Sequence, residues 1–261
     1  LVRRTPARDG DRLISFFSKG FRDYLLSGEY DQYSVSAKQG SRAMAEYVMK
    51  HFPTDGALAQ DAYLDKHGFT HLLVHMHTDR AAVQQYLEEM KKQDLGKTIE
   101  RLANALCSGE KETIDAFFAP ETSDTDQRLV ITRLRSHRAV HVLATVVACY
   151  QRQGATAKAC ALEADVLRMN PNPDAIRQAK ELYHQARQLY LQQLETASDY
   201  DTRFGLGLVY ERLGNLAKAE DSAAGWAEAE KWYGMLLELD EENHRLNPCY
   251  ESTRALGITY G

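Results

Sequence analysis

Four cysteines occur in the 261 residues, and Cys107, Cys149, Cys160 and Cys249 never fall into a Cys-x-x-Cys pair. Such spacing leaves reduced, mostly buried thiols in a cytosolic protein as the reading. A basic excess is missing too: the formal net charge is −5, which gives no electrostatic footprint for nucleic acid. Long apolar runs are absent. The longest, Ala139 to Tyr150, contains His141 and is too short to span a bilayer, and no signal peptide is visible. Nucleic acid and membrane are therefore excluded as partners. Strand-forming residues are sparse, while Ala, Leu, Glu, Gln, Lys and Arg dominate, which predicts a mostly helical protein. At 44% hydrophobic the chain could bury about three quarters of its unfolded surface as one globule, and less as a stack of hairpins touching only their neighbours.

What is present centres on Arg203 to Asp240. Leu206, Gly207 and Tyr210 put a bulky apolar residue, a small neighbour and an aromatic on one helix. Leu213-Gly214 is expected to end that helix, because glycine accepts the left-handed backbone of a helix terminus. Ala229 and Tyr233, four apart, share a face of a second helix. This stretch resembles a tetratricopeptide (TPR) unit, a helical hairpin that buries its apolar stripe by stacking on neighbours. It departs from the family pattern in two places: about ten extra residues around Lys218 to Gly225 separate the helices, and Glu241 replaces the usual terminal proline. Ala255 to Tyr260 repeats the Leu-Gly-x-x-Tyr signature just before the sequence ends at Gly261, and the sequence begins with Leu1. A fragment of a longer protein, cut at both ends, is the expectation.

Near the N-terminus, Leu13 to Phe17 is apolar and β-prone, and Phe21, Tyr24 and Leu25 follow at helical spacing. Phe16, Phe17, Phe21, Arg22, Tyr24 and Leu25 resemble the end of the winged-helix region in STAND NTPases, the NACHT and related signalling ATPases. Ser18 stands where many members carry histidine. Arg42 to Phe52 reads as the helix that follows, and Ala62 to Met76 resembles the family's Tyr-Leu…His-Leu helix. The resemblance covers about the first ninety residues. It implies a regulatory or sensor arm whose ATP and Mg sit in an upstream domain of the parent, with oligomerisation of the parent and, in prokaryotes, a role in antiviral defence.

Two short patterns carry no chemistry. His71 and His75 have the i, i+4 spacing of a zinc pair, with His67 and His77 flanking them, yet no cysteine or His-Glu-x-x-His pattern completes a site. Gly96-Lys97-Thr98 closes a P-loop in appearance, but Lys91 stands where the loop needs its first glycine, and Ala81 to Met90 reads as helix. The sequence therefore offers no metal, cofactor or catalytic residue within this chain.

Ile99 to Leu106 and Glu112 to Phe118 read as two short helices broken at Ser108-Gly109, and the polar Pro120 to Asp126 marks the internal boundary. The expected organisation is 1–30 as the end of a winged-helix-like region, 31–120 as a helical linker domain, and 121–261 as irregular TPR-like repeats. Arg128 to Arg152 reads as one periodic helix ending at Gly154, with Leu143, Val146, Val147 and Tyr150 resembling a first TPR helix. Ala155 to Met169 stops at Asn170 to Pro173, and in Ala175 to Glu195 the pair Ala186 and Tyr190 mimics Ala229 and Tyr233. The fold class is all-α, helical hairpins stacked as an irregular TPR-like solenoid with a small β-hairpin near the N-terminus. The TPR resemblance implies a binding groove lined by Asp201, Phe204, Leu208, Glu211 and Arg212, with Glu251 and Arg254 in the last repeat. Phe204 and Leu208 depart from the lysine and asparagine pattern of carboxylate-clamping repeats and suit an apolar or mixed ligand. A non-catalytic, cytoplasmic scaffold follows, whose partner is a protein or peptide or the parent's own NTPase domain. Two alternatives stay open at this point: a free-standing TPR adaptor, and part of an enzyme whose catalytic domain lies elsewhere.

Overall fold

The structure is a computed structural model that describes residues 2–6, 12–16, 37–170, 172–197, 199–246 and 248. Strands β1 (Val2–Pro6) and β2 (Arg12–Phe16) pair antiparallel in a two-stranded hairpin, with Arg4 opposite Ile14. Everything else with regular structure among the described residues is helical. The chain divides into two compact units, one up to Ala116 and one from Phe117 onward.

Helices α1 (Ala37–His51), α2 (Asp55–Leu58), α3 (Ala62–His75), α4 (Arg80–Gln93), α5 (Leu95–Ser108) and α6 (Lys111–Phe117) follow the hairpin. In this first unit α3 packs on α1 and α5, burying Val48, Leu64, Leu72, Leu102 and Leu106. Its starts are written in the sequence: Asp61, Asp79 and Asp94 each accept backbone N–H groups from the first turn of α3, α4 and α5. Most of the residues carrying the STAND resemblance, Phe17 to Leu25, lie outside the described residues.

The second unit holds α7 (Asp124–Ser136), α8 (Val140–Arg152), α9 (Thr156–Arg168), α10 (Pro173–Thr196), α11 (Tyr200–Lys218) and α12 (Ala223–Leu246). Each helix packs on the next, so the unit is a stack of antiparallel hairpins, an irregular TPR-like solenoid. No helix among the described residues is long and apolar enough to cross a membrane. The α9–α10 seam is built on Ala157, Ala164, Ala179 and Ala186, small enough for close approach, and the core continues through Tyr183, Tyr190, Leu206, Val209, Leu213 and Trp232. Full burial of each large member contributes about 1.5–3 kcal/mol.

Three expectations are corrected here. The single helix from Arg128 to Arg152 is two helices, α7 and α8, because Arg138 adopts a left-handed backbone (φ 52°) and the Ala139 N–H bonds back to the Leu134 carbonyl. No glycine marks that stop, so hydrophobic periodicity runs through it. Gly214 does not end its helix, because α11 continues to Lys218. A Cβ at Gly214 would stand 2.7 Å from Tyr233 Cε1, so glycine is there to let the ring of the next helix lie on its backbone. Lastly, the extra residues around Lys218 to Gly225 only partly separate the two helices, because Lys218 still belongs to α11 and 223–225 already belong to α12, leaving 219–222 as the link. The Tyr233 hydroxyl then donates to Asn215 Oδ1 at 2.8 Å.

Gly207 and Tyr210 face the α11–α12 seam, with Tyr210 stacked on Trp232 at 5.9 Å, and Leu206 and Ala229 are buried in the same core. A Cβ at Gly207 would come within 3.2 Å of Leu236 Cδ1 and 3.7 Å of Leu239 Cδ2. Gly207→Leu is expected to overpack this seam and lower unfolding free energy by about 1–3 kcal/mol. Denaturant titration checks it, and an unchanged midpoint means the seam has room.

Candidate functional site

Helix α11 carries the residues that sequence reasoning assigned to a groove. Phe204, Leu208 and Arg212 recur at i, i+4 spacing and so share a stripe, with Asp201 one turn ahead. The two ends of the stripe are engaged by other helices of the second unit. At the N-terminal end, Arg128 of α7 lies over the Phe204 ring, with its guanidinium carbon 4.3 Å from the centroid. The same guanidinium donates to Asp201 Oδ1 at 2.8 Å and to Thr125 Oγ1 at 3.1 Å. Phe204 is half-buried, beside the Tyr200 ring at 6.0 Å.

At the C-terminal end, Arg212 belongs to a polar node centred on Asp165 of α9. Asp165 accepts from Arg212 Nε at 3.2 Å and from the Tyr183 hydroxyl of α10 at 2.6 Å, and pairs with Arg135 of α7 at 3.0 Å. Its side chain is 10% exposed, against 20% for Arg212 and 24% for Arg135. Arg212 also donates through Nη1 to Glu211 at 2.9 Å. Burial alone would depress the Arg212 guanidinium, but Asp165 and Glu211 outweigh it and raise it above the ordinary arginine value. Burial likewise pushes the Tyr183 phenol well above its ordinary range, with Asp165 adding to it, so Tyr183 stays a neutral donor.

Beside this node opens a depression of about 270 Å³ lined by Arg135, Asp165, Arg168, Met169 and Arg212. Leu208, between the two engaged ends of the stripe, is half-buried and outside the core of the unit. Glu251 and Arg254, the other expected groove residues, lie outside the described residues. Sequence reasoning named Arg212 and Glu211 but not Arg135, Asp165 and Arg168, which the structure brings beside Arg212. The one available signal was an aspartate on the buried side of an alanine-rich helix, next to Ala164 and three residues from Leu162.

Other titratable groups settle into local contacts. His71 bonds the Tyr63 hydroxyl at 3.0 Å and Ser41 Oγ at 3.2 Å, whereas buried His75 bonds Thr78 Oγ1 at 3.0 Å. Among the described residues no three His, Cys, Asp or Glu side chains come together as a metal site. Gly96-Lys97-Thr98 forms the first turn of α5, where the Asp94 carboxylate already accepts from the Lys97 N–H at 2.9 Å. An acidic cap fills the place that a phosphate would need.

His184 of α10 lies against the Trp232 ring at 5.7 Å, near Lys180, Arg187 and Glu228. Burial, helped by the Lys180 charge, pushes it below the ordinary histidine value of 6.5 against the pull of Glu228. The unfolded state then binds the proton more tightly. The stability that His184 contributes is full above pH 6.5 and is lost as pH falls through the lower folded-state value. Both tryptophans, Trp226 and Trp232, lie in α12 and report on the second unit. Urea midpoints followed by their fluorescence are expected to fall between pH 7.5 and 5.5, and to fall less in His184→Gln.

No family model, curated protein or solved structure matches the chain.

Proposed function

We propose that the second unit is a non-catalytic protein-binding scaffold, and that the chain serves as the sensing or regulatory arm of a larger STAND-type signalling NTPase. The observation that carries the binding reading is the α11 stripe. Stacked hairpins hold Phe204, Leu208 and Arg212 on one face of a fixed helix, and an open, arginine-lined depression adjoins its Arg212 end. Arg128 and Asp165 lock the two ends of the stripe, so a ligand meets a pre-organised surface and loses less entropy in ordering it. Arginine and aromatic anchors are where interface energy concentrates. The NTPase-arm part of the proposal is supported by the Phe16 to Leu25 resemblance and the helices after it. It makes the ligand either an outside protein or the parent's own NTPase domain.

Selection of displayed peptides on the purified chain tests the binding reading. Enrichment of a peptide set is expected, with binding weakened about tenfold or more by Leu208→Asp while the melting temperature holds. No enrichment over an unrelated helical protein overturns the reading, and so does binding that ignores Leu208→Asp.

A further inference from the structure

We propose that the depression beside Asp165 is a subsite for a carboxylate side chain of an acidic peptide, with Arg168 as its principal donor. The inference rests on the protein-binding reading above and specifies the ligand's chemistry at one end of that surface.

Three guanidinium groups and one carboxylate line the depression, so its walls carry an excess of positive charge on a molecule whose formal net charge is −5. The single carboxylate is already shared, since Asp165 pairs with Arg135 and Arg212 and also accepts from Tyr183. Arg168 is left over. Its Nη1 reaches the Tyr183 hydroxyl at a long 3.5 Å, and it forms no ion pair among the described residues. The Arg135 Nε is buried with no hydrogen-bond partner among the described residues. A buried donor without an acceptor is costly, and a guanidinium fork matches a carboxylate with two parallel bonds. An incoming carboxylate would take up the Arg168 fork that Asp165 leaves without an ion pair.

The geometry also selects a carboxylate that arrives on a peptide. Met169 forms part of the wall, and the half-buried Leu208 sits one helical turn from Arg212. A ligand alternating acidic and apolar residues can therefore fill the depression and lie on the stripe together. Because the formal net charge of the chain is −5, attraction of such a ligand has to come from a local cationic lining such as that of the depression. Binding should weaken as salt is added.

A blocked peptide alternating glutamate with leucine, its glutamine counterpart and inorganic phosphate are titrated against the full chain. The glutamate peptide is expected to bind, phosphate to compete with it, and the glutamine peptide to bind about tenfold or more weakly. Arg168→Gln is expected to remove that preference, while Asp165 keeps its three partners and the melting temperature is retained. Arg168→Lys, which keeps the charge and loses the fork, is the second variant and should show an intermediate affinity. Equal binding of the two peptides overturns the carboxylate assignment while leaving the scaffold reading intact. Phosphate binding without peptide binding overturns it as well, by showing a site for a free anion. A glutamate preference unchanged in both Arg168 variants places the site elsewhere. If no peptide of either charge binds and display selection also fails, the scaffold reading falls with it.

Discussion

Asp165→Ala is expected to lower the unfolding free energy of the second unit by about 3–5 kcal/mol, the range for breaking a buried ion pair by removing one partner. The size comes from what is left behind. Arg135 and Arg212, each mostly buried, lose the carboxylate that neutralises them, and the Tyr183 hydroxyl loses its acceptor. The residues involved come from α7, α9, α10 and α11, so one side chain ties four helices together. Guanidinium groups cannot shed their protons to escape the penalty. Asp165→Asn should cost less, because an amide oxygen still accepts from Tyr183. Denaturant titration with tryptophan fluorescence measures both. A loss below about 1 kcal/mol for Asp165→Ala would mean the arginines are hydrated and behave as a surface pair.

That node shows where sequence reading stops. Asp165 and Arg212 are 47 positions apart, and Asp165 and Tyr183 are 18 apart. Helical periodicity assigns each residue to a face of its own helix, but it does not say which faces meet. The helix starts are a local signal that the sequence reading left unused: Asp79, Asp94, Asn172 before Pro173, and Asp199 each cap the first turn of their own helix. The helical hairpins were legible, since Ala186 with Tyr190 and Ala229 with Tyr233 repeat one small-aromatic spacing.

Glycine was the ambiguous letter. It serves either to reach a left-handed backbone or to let another group come close, and the two uses look alike in a sequence. Gly154 is the first kind, with φ at 74° in the turn between α8 and α9. Gly214 is the second kind and was taken for the first. Arg138 made the opposite confusion, taking the left-handed conformation without being glycine. Of the candidate site, the α11 stripe was legible as far as its spacing goes. Arg128 over Phe204 was not, because α7 reaches α11 from 76 positions earlier in the chain.

Gly205, which no sequence motif singled out, is expected to be the least replaceable glycine of α11. A Cβ there would lie 2.6 Å from Tyr190 Cζ and 2.8 Å from its hydroxyl oxygen, closer than any real contact of that kind. Tyr190 is buried in the core with Tyr183, Leu206 and Trp232, so its ring has no open space to swing into. Tyr190 on Gly205 and Tyr233 on Gly214 are the same device on the two sides of α11, a tyrosine from each neighbouring helix laid on bare backbone. Gly205→Leu should therefore cost about 3 kcal/mol, at the upper end of overpacking, despite the gain in helix propensity of up to about 1 kcal/mol. Gly205→Ala is the informative milder variant. Paired with Tyr190→Leu, which shortens the opposing side chain, it should cost less than the two single losses added together. A double-mutant cycle measures that coupling, and the expected interaction is about 1 kcal/mol or more in the direction of rescue. If the two losses simply add, the ring does not press on Gly205, and the close approach of α10 to α11 has some other cause.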